Sequence, residues 1–281
     1  MAPEFFFDLD DTLIYNQYMY TKVYADFIDF MLKKINAKSS SKKQSRELLE
    51  IVKHTSPKCK GLEEIITIYK MDRTIRDMFS VVSDFNNQSK KDNPKNPFNK
   101  ERVPNALKNA YFAICNDPRF SCTPLEYEAN EAYELGKGFY NVKRELVDGA
   151  EEVLEFLKGK NCALKLYTCG DVWLQNQKIN INGFDKYFEK KDRIIVPTKD
   201  KCEIKAYLNG HDPNQTFMVG NSVRHDIAPA VKSGIKAIYF PSATFYSWDE
   251  IELDEEHKSK LLVINDLREI ISNYDLLASL K

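Results

Sequence analysis

Residues 4–13 read EFFFDLDDTL. Phe5, Phe6 and Phe7 run without a polar interruption, and the chain turns acidic at Asp8, Asp10 and Asp11. A short continuous apolar run suits a strand buried on both faces, as in a parallel sheet. Side chains just past the carboxyl end of such a strand line the crevice where open α/β sheets bind ligands. Asp8 and Asp10, at i and i+2, would lie close together there. That packing is costly unless a cation or a proton compensates. A helix cap accounts for one Asp; it leaves the other acids and Thr12 unexplained.

Outward from this stretch the chain has two textures. Short apolar runs return late, at 163–167 (ALKLY), 193–196 (RIIV), 216–219 (TFMV), 236–240 (KAIYF) and 261–264 (LLVI). Helical patterns separate them, at 150–158 with Val153, Leu154 and Leu157 on one face and at 226–233. Strands alternating with helices imply βαβ units and an open parallel sheet. The middle, 16–144, shows helical periodicity and no convincing strand. Helices are expected at 18–32, 61–69, 72–85, 104–114 and 124–140. Residues 84–101 carry two prolines and five asparagines and are expected to form a mobile surface loop. Nine basic and two acidic residues between 33 and 60 read as a solvated helix end and loop. No internal repeat shows.

Length and composition bound the function. The chain has 281 residues, 43 % hydrophobic and 30 % charged, enough for a large core. Lys and Arg (41) nearly balance Asp and Glu (42), which argues against a globally basic nucleic-acid binder. No apolar stretch reaches the length of a membrane span. The start lacks a basic region ahead of its apolar run, so no secretory signal is expected. The cysteines at 59, 115, 122, 162, 169 and 202 form no CxxC pair and read as reduced thiols in a cytoplasmic protein.

The acidic stretch Asp8-Leu9-Asp10-Asp11-Thr12, following its apolar strand, resembles the DxDxT first motif of the haloacid dehalogenase superfamily. The resemblance continues in order. Leu166-Tyr167-Thr168 is similar to the second motif, an apolar strand ending in Thr or Ser. Lys199, in Val196-Pro197-Thr198-Lys199-Asp200, resembles the third motif's lysine, with Lys201 and Lys205 as rivals close by. Val219-Gly220-Asn221-Ser222 followed by Asp226 resembles the fourth motif, GDxxxxD, with Asn in place of its first Asp. Residues 146–157 resemble the family's re-entry into the core after a cap.

The resemblance implies a Rossmann-like three-layer α/β/α core from 1–15 and 145–281, with an all-helical cap at 16–144. It implies Asp8 as nucleophile toward phosphorus, forming an aspartyl-phosphate. Asp10 would act as general acid and then base. The Thr168 hydroxyl and the backbone N–H that follows, with Thr12, Cys169 and Lys199, would hold the phosphoryl group. Magnesium is the implied cofactor, with Asp8, Asp10 through its backbone carbonyl, Asp226 and Asn221 as ligands. Asn221 removes one negative charge and is expected to weaken the metal site.

The implied activity is a magnesium-dependent phosphatase acting on a small soluble phosphate monoester, without nucleic-acid or membrane partners. A phosphomutase uses the same motifs. A haloacid dehalogenase would lack the acid at Asp10, and a non-catalytic phosphate binder has only Asn221 in its favour. Of the remaining candidates, Asp171 reads as a helix cap, Trp248 as a packing residue, and the aromatic stripe from Tyr18 to Phe30 as cap core with Tyr15 and Asn16 at its hinge.

Overall fold

The structure, a computed structural model, describes residues 2–55, 61–120, 122–199, 201–208, 210–241 and 255–279. It divides into two compact units, residues 1–16 with 143–281 and residues 17–142. Trp248, Cys59 and Asp200 lie outside the described residues.

The first unit is built on six parallel strands, β1 (Glu4–Phe7), β2 (Ala163–Cys169), β3 (Arg193–Val196), β4 (Thr216–Gly220), β5 (Lys236–Tyr239) and β6 (Leu261–Val263). Their order is β3-β2-β1-β4-β5-β6, so the chain starts in the middle of the sheet and builds outward in both directions. Phe7 is in register with Leu166 on one side and Val219 on the other. Strand alternation sends Phe5 and Phe7 to one face and Phe6 to the other. On the first face Phe5 and Phe7 pack with Phe217, Val153, Leu157 and Ile179. On the second, Phe6 packs with Tyr167, Met218, Ile227 and Val231. The phenylalanine run is apolar throughout because both faces of β1 are core. The expected α/β class with an open parallel sheet is what the chain forms.

The helices of this unit are short. Among the described residues they are α7 (Ala150–Gly159), α8 (Val172–Ile181), α9 (Lys201–Ala206), α10 (Ala228–Lys232), α11 (Glu255–Lys258), α12 (Glu269–Ser272) and α13 (Tyr274–Ser279), numbered after six in the other unit. Asp171 caps α8, accepting from the N–H groups of Trp173 and Leu174 at 2.9 and 3.1 Å.

The second unit is helical throughout its described residues: α1 (Gln17–Lys34), α2 (Ser39–His54), α3 (Leu62–Ile68), α4 (Arg73–Asp92), α5 (Arg102–Asn116) and α6 (Glu126–Gly138). Two expectations need correction. The basic stretch forms the full helix α2, which buries Ser41, Ser45, Leu48 and Val52. Its buried hydroxyls are satisfied, Ser45 donating to Asp29 Oδ1 at 2.9 Å and Ser41 to Asp72, so a polar composition still serves as a core face. The expected loop at 84–101 shrinks to 93–101, because α4 runs on to Asp92 with Asn86 buried against Arg102. The thiols of Cys115 and Cys122 face each other at 2.7 Å, and burial together with that contact pushes Cys115 up to about 12. No helix of the described residues is long and apolar enough to cross a membrane.

Candidate active site

The site lies at the carboxyl ends of β1, β2 and β4. Beyond Phe7 the Asp8 N–H still donates to the Val219 carbonyl at 2.9 Å, which pins Asp8 to the rim of the sheet. The chain then reverses within one turn, the Leu9 carbonyl accepting from the N–H groups of Leu13 and Ile14 at 2.9 and 3.1 Å. Asp11 takes a left-handed φ of 61°, a conformation Asp tolerates better than bulkier residues. The turn folds Thr12 back, placing its hydroxyl 3.2 Å from Asp8 Oδ2 and 3.2 Å from Asn221 Oδ1.

Lys199 arrives from the segment after β3. Its Nζ donates to Asp8 Oδ1 and, at 2.6 Å, to Asp226 Oδ1. It also lies 5.3 Å from the centre of the Tyr167 ring. Lys199 and Asp226 are only 2 % and 1 % exposed at their side chains. Burial pushes the Asp8 carboxyl up to about 7, with Lys199 opposing and Asp226 adding to the rise. For Lys199, burial pulls downward, yet Asp226 and Asp8 outweigh it and the ammonium is held above its usual range. The rival Lys205 is exposed. The side chain of Lys201 lies outside the described residues.

Asp226 reaches this position because Gly220 leaves room for it. A Cβ at Gly220 would come within 2.5 Å of the Asp226 side chain. The chain between them closes through a π-type turn, Val223–Ile227, and the Ser222 N–H donates to Asp226 Oδ2 at 3.0 Å. The spacing of the fourth motif is thus a close-approach glycine followed by one turn.

Asp10 has a separate partner. Lys178 Nζ meets both of its carboxylate oxygens, at 2.8 and 2.7 Å, with the lysine 8 % exposed and Asp10 26 %. Burial lowers the pKa of Lys178, and Asp10 opposes that fall. One turn earlier on α8, Gln175 Nε2 reaches the Thr168 hydroxyl at 2.8 Å, the Cys169 carbonyl at 2.9 Å and Asp10 Oδ2 at 3.2 Å. Neither Lys178 nor Gln175 was expected from the sequence. The available signal was α8 itself, whose buried face carries Gln175 and Lys178 beside Leu174 and Ile179. Buried polar residues on a helix that follows a strand-end Thr must find partners at that strand end.

Asp8, Thr12, Lys199, Asn221 and Asp226 therefore meet directly, and Gln175 joins Thr168 and Cys169 to Asp10. The Cys169 thiol is pushed up to about 12 by burial, so it stays protonated at neutral pH. Asn16 is the last residue of the first unit before the chain enters the helical one. Its N–H donates to Asp11 Oδ1 at 2.9 Å, and its side-chain oxygen accepts from Arg144 at 3.2 Å.

Among the described residues no three His, Cys, Asp or Glu side chains converge as a metal cage. The donor chemistry is nonetheless that of a hard cation. Asp8 Oδ2 and Asn221 Oδ1 both lie against the Thr12 hydroxyl, and Asp226 is joined to Asp8 through Lys199. Two carboxylates and a carboxamide oxygen suit magnesium, which keeps water and substrate oxygens in its remaining positions.

The sequence matches no protein-family model and no curated protein. Solved structures do match. A haloacid dehalogenase-like family hydrolase from Xanthomonas campestris superposes with a TM-score of 0.63 at 18 % identity, over 99 % of this chain and 96 % of that one. The chain has the haloacid dehalogenase fold. YfnB from Bacillus subtilis, assigned to the HAD hydrolases and bound to magnesium, matches with a TM-score of 0.51 at 15 % identity, over 98 % of each chain. A 2-haloacid dehalogenase from Pseudomonas syringae matches with a TM-score of 0.50 at 16 % identity, over 99 % of this chain and all of that one. A fold shared at 15–18 % identity does not fix the reaction, which has to be argued from this chain's own side chains.

Proposed function

We propose that the chain is a magnesium-dependent phosphatase that hydrolyses a small phosphate monoester through a phosphate ester of Asp8. The observation that carries this reading is the contrast between two neighbouring carboxylates. Asp8 is buried against Lys199 and Thr12, whereas Asp10 is more exposed and clamped by Lys178 and Gln175. Two carboxylates in distinct environments suit a nucleophile and an acid–base group.

In the proposed reaction an Asp8 oxygen attacks phosphorus and the bond to the ester oxygen breaks. Asp10 gives that oxygen its proton, so the alcohol leaves neutral. Asp10 then takes a proton from water as the water attacks phosphorus, the Asp8–phosphorus bond breaks, and inorganic phosphate is freed. The Thr168 hydroxyl and Lys199 ammonium stabilise the charge on the transferring group. Asp8, Asp226, Asn221 and the Asp10 carbonyl would hold magnesium, which supplies charge neutralisation for the phosphoryl oxygens. A dehalogenase has no use for a proton donor at Asp10, because a halide leaves unprotonated.

The test is release of inorganic phosphate from an aryl phosphate and a panel of sugar, nucleotide and two-carbon phosphates, with magnesium or with a chelator. Magnesium-dependent release is expected. Release of halide from a 2-haloacid with no phosphatase activity would overturn the reading. In chelator the Asp8 carboxyl should titrate near about 7, the range to which burial raises it, and magnesium should lower that midpoint because Asp8 is one of its proposed ligands. A midpoint that magnesium leaves unchanged, followed by carboxyl NMR, would remove Asp8 from the metal site.

Lys178→Met should lower kcat about 10- to 100-fold, a share of what acid–base catalysis supplies. The clamp that aims Asp10 would be gone while Asp8 and Lys199 remain in place. Single-turnover kinetics would show both formation and breakdown of the phospho-enzyme slowed. Wild-type rates for both steps would make the Lys178–Asp10 pair purely structural.

A further inference from the structure

The helical unit contains a buried cation that, among the described residues, no carboxylate pairs with. Arg102, the first residue of α5, is 3 % exposed. Its Nη1 donates to Asn86 Oδ1 at 2.8 Å and its Nη2 to the Tyr20 hydroxyl, both neutral acceptors. Its Nε–H is buried with no hydrogen-bond partner. The guanidinium lies 5.3 Å from the Tyr20 ring centre and 5.5 Å from that of Phe98.

A second cation shares the Phe98 ring. Lys90 Nζ lies 5.7 Å from its centre, and Lys90 and Phe98 are both half-buried, so they form the solvent side of the cluster. Among the described residues neither Lys90 nor Arg102 makes an ion pair, although Lys34, Lys108 and Arg119 of the same unit all do. Glu101, the adjacent acid, is turned to the Tyr133 hydroxyl at 2.5 Å. Burial and the nearby Arg102 pull the Lys90 pKa down to about 8. The Tyr24 hydroxyl, within electrostatic reach of Arg102, is also buried without a partner.

Buried charges are ordinarily paired, and two cations that repel each other in a desolvated site are costly. A purely structural tie between α1, α4 and α5 would need neither the second cation nor a donor left unsatisfied. An oxyanion would answer all of these at once. It would accept from Arg102 Nε–H and from Tyr24, and its charge would neutralise both the guanidinium and the ammonium.

We propose that Arg102, Lys90 and Tyr24 form a binding site within the helical unit for an oxyanion, a carboxylate or phosphoryl group carried by a small molecule. This does not rest on the phosphatase reading, because none of these residues belongs to the Asp8 site.

The test is nitrogen-15 NMR of the full chain, following the Arg102 Nε–H resonance assigned through its own backbone. Inorganic phosphate and acetate are titrated separately, with chloride keeping ionic strength constant. The resonance should move saturably with at least one of the two anions and not with chloride. Phosphate alone identifies a phosphoryl site, and acetate identifies a carboxylate site. Lys90→Met, a change at a half-buried position, should weaken the titration about tenfold. The same titration in Asp8→Asn should be unchanged, which separates this site from the phosphoryl pocket. No saturable movement with either anion, an equal response to chloride, or a titration unaffected by Lys90→Met would overturn the proposal.

Discussion

Lys199→Met is expected to destabilise the protein by about 3–5 kcal/mol, the usual cost of removing one partner from a buried ion pair. At this chain length that corresponds to a fall in Tm of the order of 10 °C. Lys199 is the cation between Asp8 and Asp226, and both carboxylates are buried with it. Methionine matches its length and keeps the contact with the Tyr167 ring, so lost packing contributes little. What remains is two carboxylates facing each other without compensation. Adding Asp8→Asn to Lys199→Met should therefore return part of the lost stability, because it removes one of the repelling charges. Denaturant unfolding of the two single variants and the double variant measures this directly. If Asp8→Asn changes stability by the same amount in the Lys199→Met variant as in the wild type, Lys199 acts by packing and not by charge.

Asp8→Asn is expected to reduce turnover by about 10⁴-fold or more, since no other group can replace the nucleophile. Its effect on stability should run the other way. Asp8 titrates near 7 in the folded chain against a reference of 3.8, so its folded pKa is raised. A carboxyl with a raised folded pKa favours the folded state below the unfolded value, and that contribution is lost as pH rises through the folded one. At pH 8, in chelator, the variant should be at least as stable as the wild type. The difference should shrink as pH falls from 7 toward 4. Urea titrations across that range test the sign. A variant less stable than wild type at pH 8 would mean that the Lys199–Asp8 attraction exceeds the cost of burying Asp8. Losing function while keeping or gaining stability is the usual signature of a strained catalytic charge.

Much of this architecture was legible because it depends on short runs of sequence. The uninterrupted phenylalanines of β1 marked a strand buried on both faces, and each later apolar run proved to be a strand of the same sheet. The first and fourth acidic motifs were legible for the same reason. Asp8 and Thr12 meet across one turn, and Gly220 and Asp226 across another. Helix α2 was misread because Ser41 and Ser45 look like solvent-facing positions until their acceptors, Asp72 and Asp29, are known. The end of α4 was misread because its asparagines lower helix propensity and Pro94 and Pro97 follow closely, and the pairing of Asn86 with Arg102 overrides the asparagines.

The sequence by itself determined the strand runs, the helical middle and the acidic residues at strand ends, since each is set by periodicity or by contacts within a turn. Only the tertiary structure decided which lysine serves which carboxylate. Lys199 reaches Asp8 across 191 positions, and Lys178 reaches Asp10 across 168. A resemblance to the third motif singled out Lys199 among its neighbours, but no local pattern marked Lys178 or named the carboxylate that either lysine serves. They are selected by the order in which parallel strands assemble, which brings the carboxyl ends of β1, β2, β3 and β4 side by side, and by the cost of leaving any buried charge there unpaired.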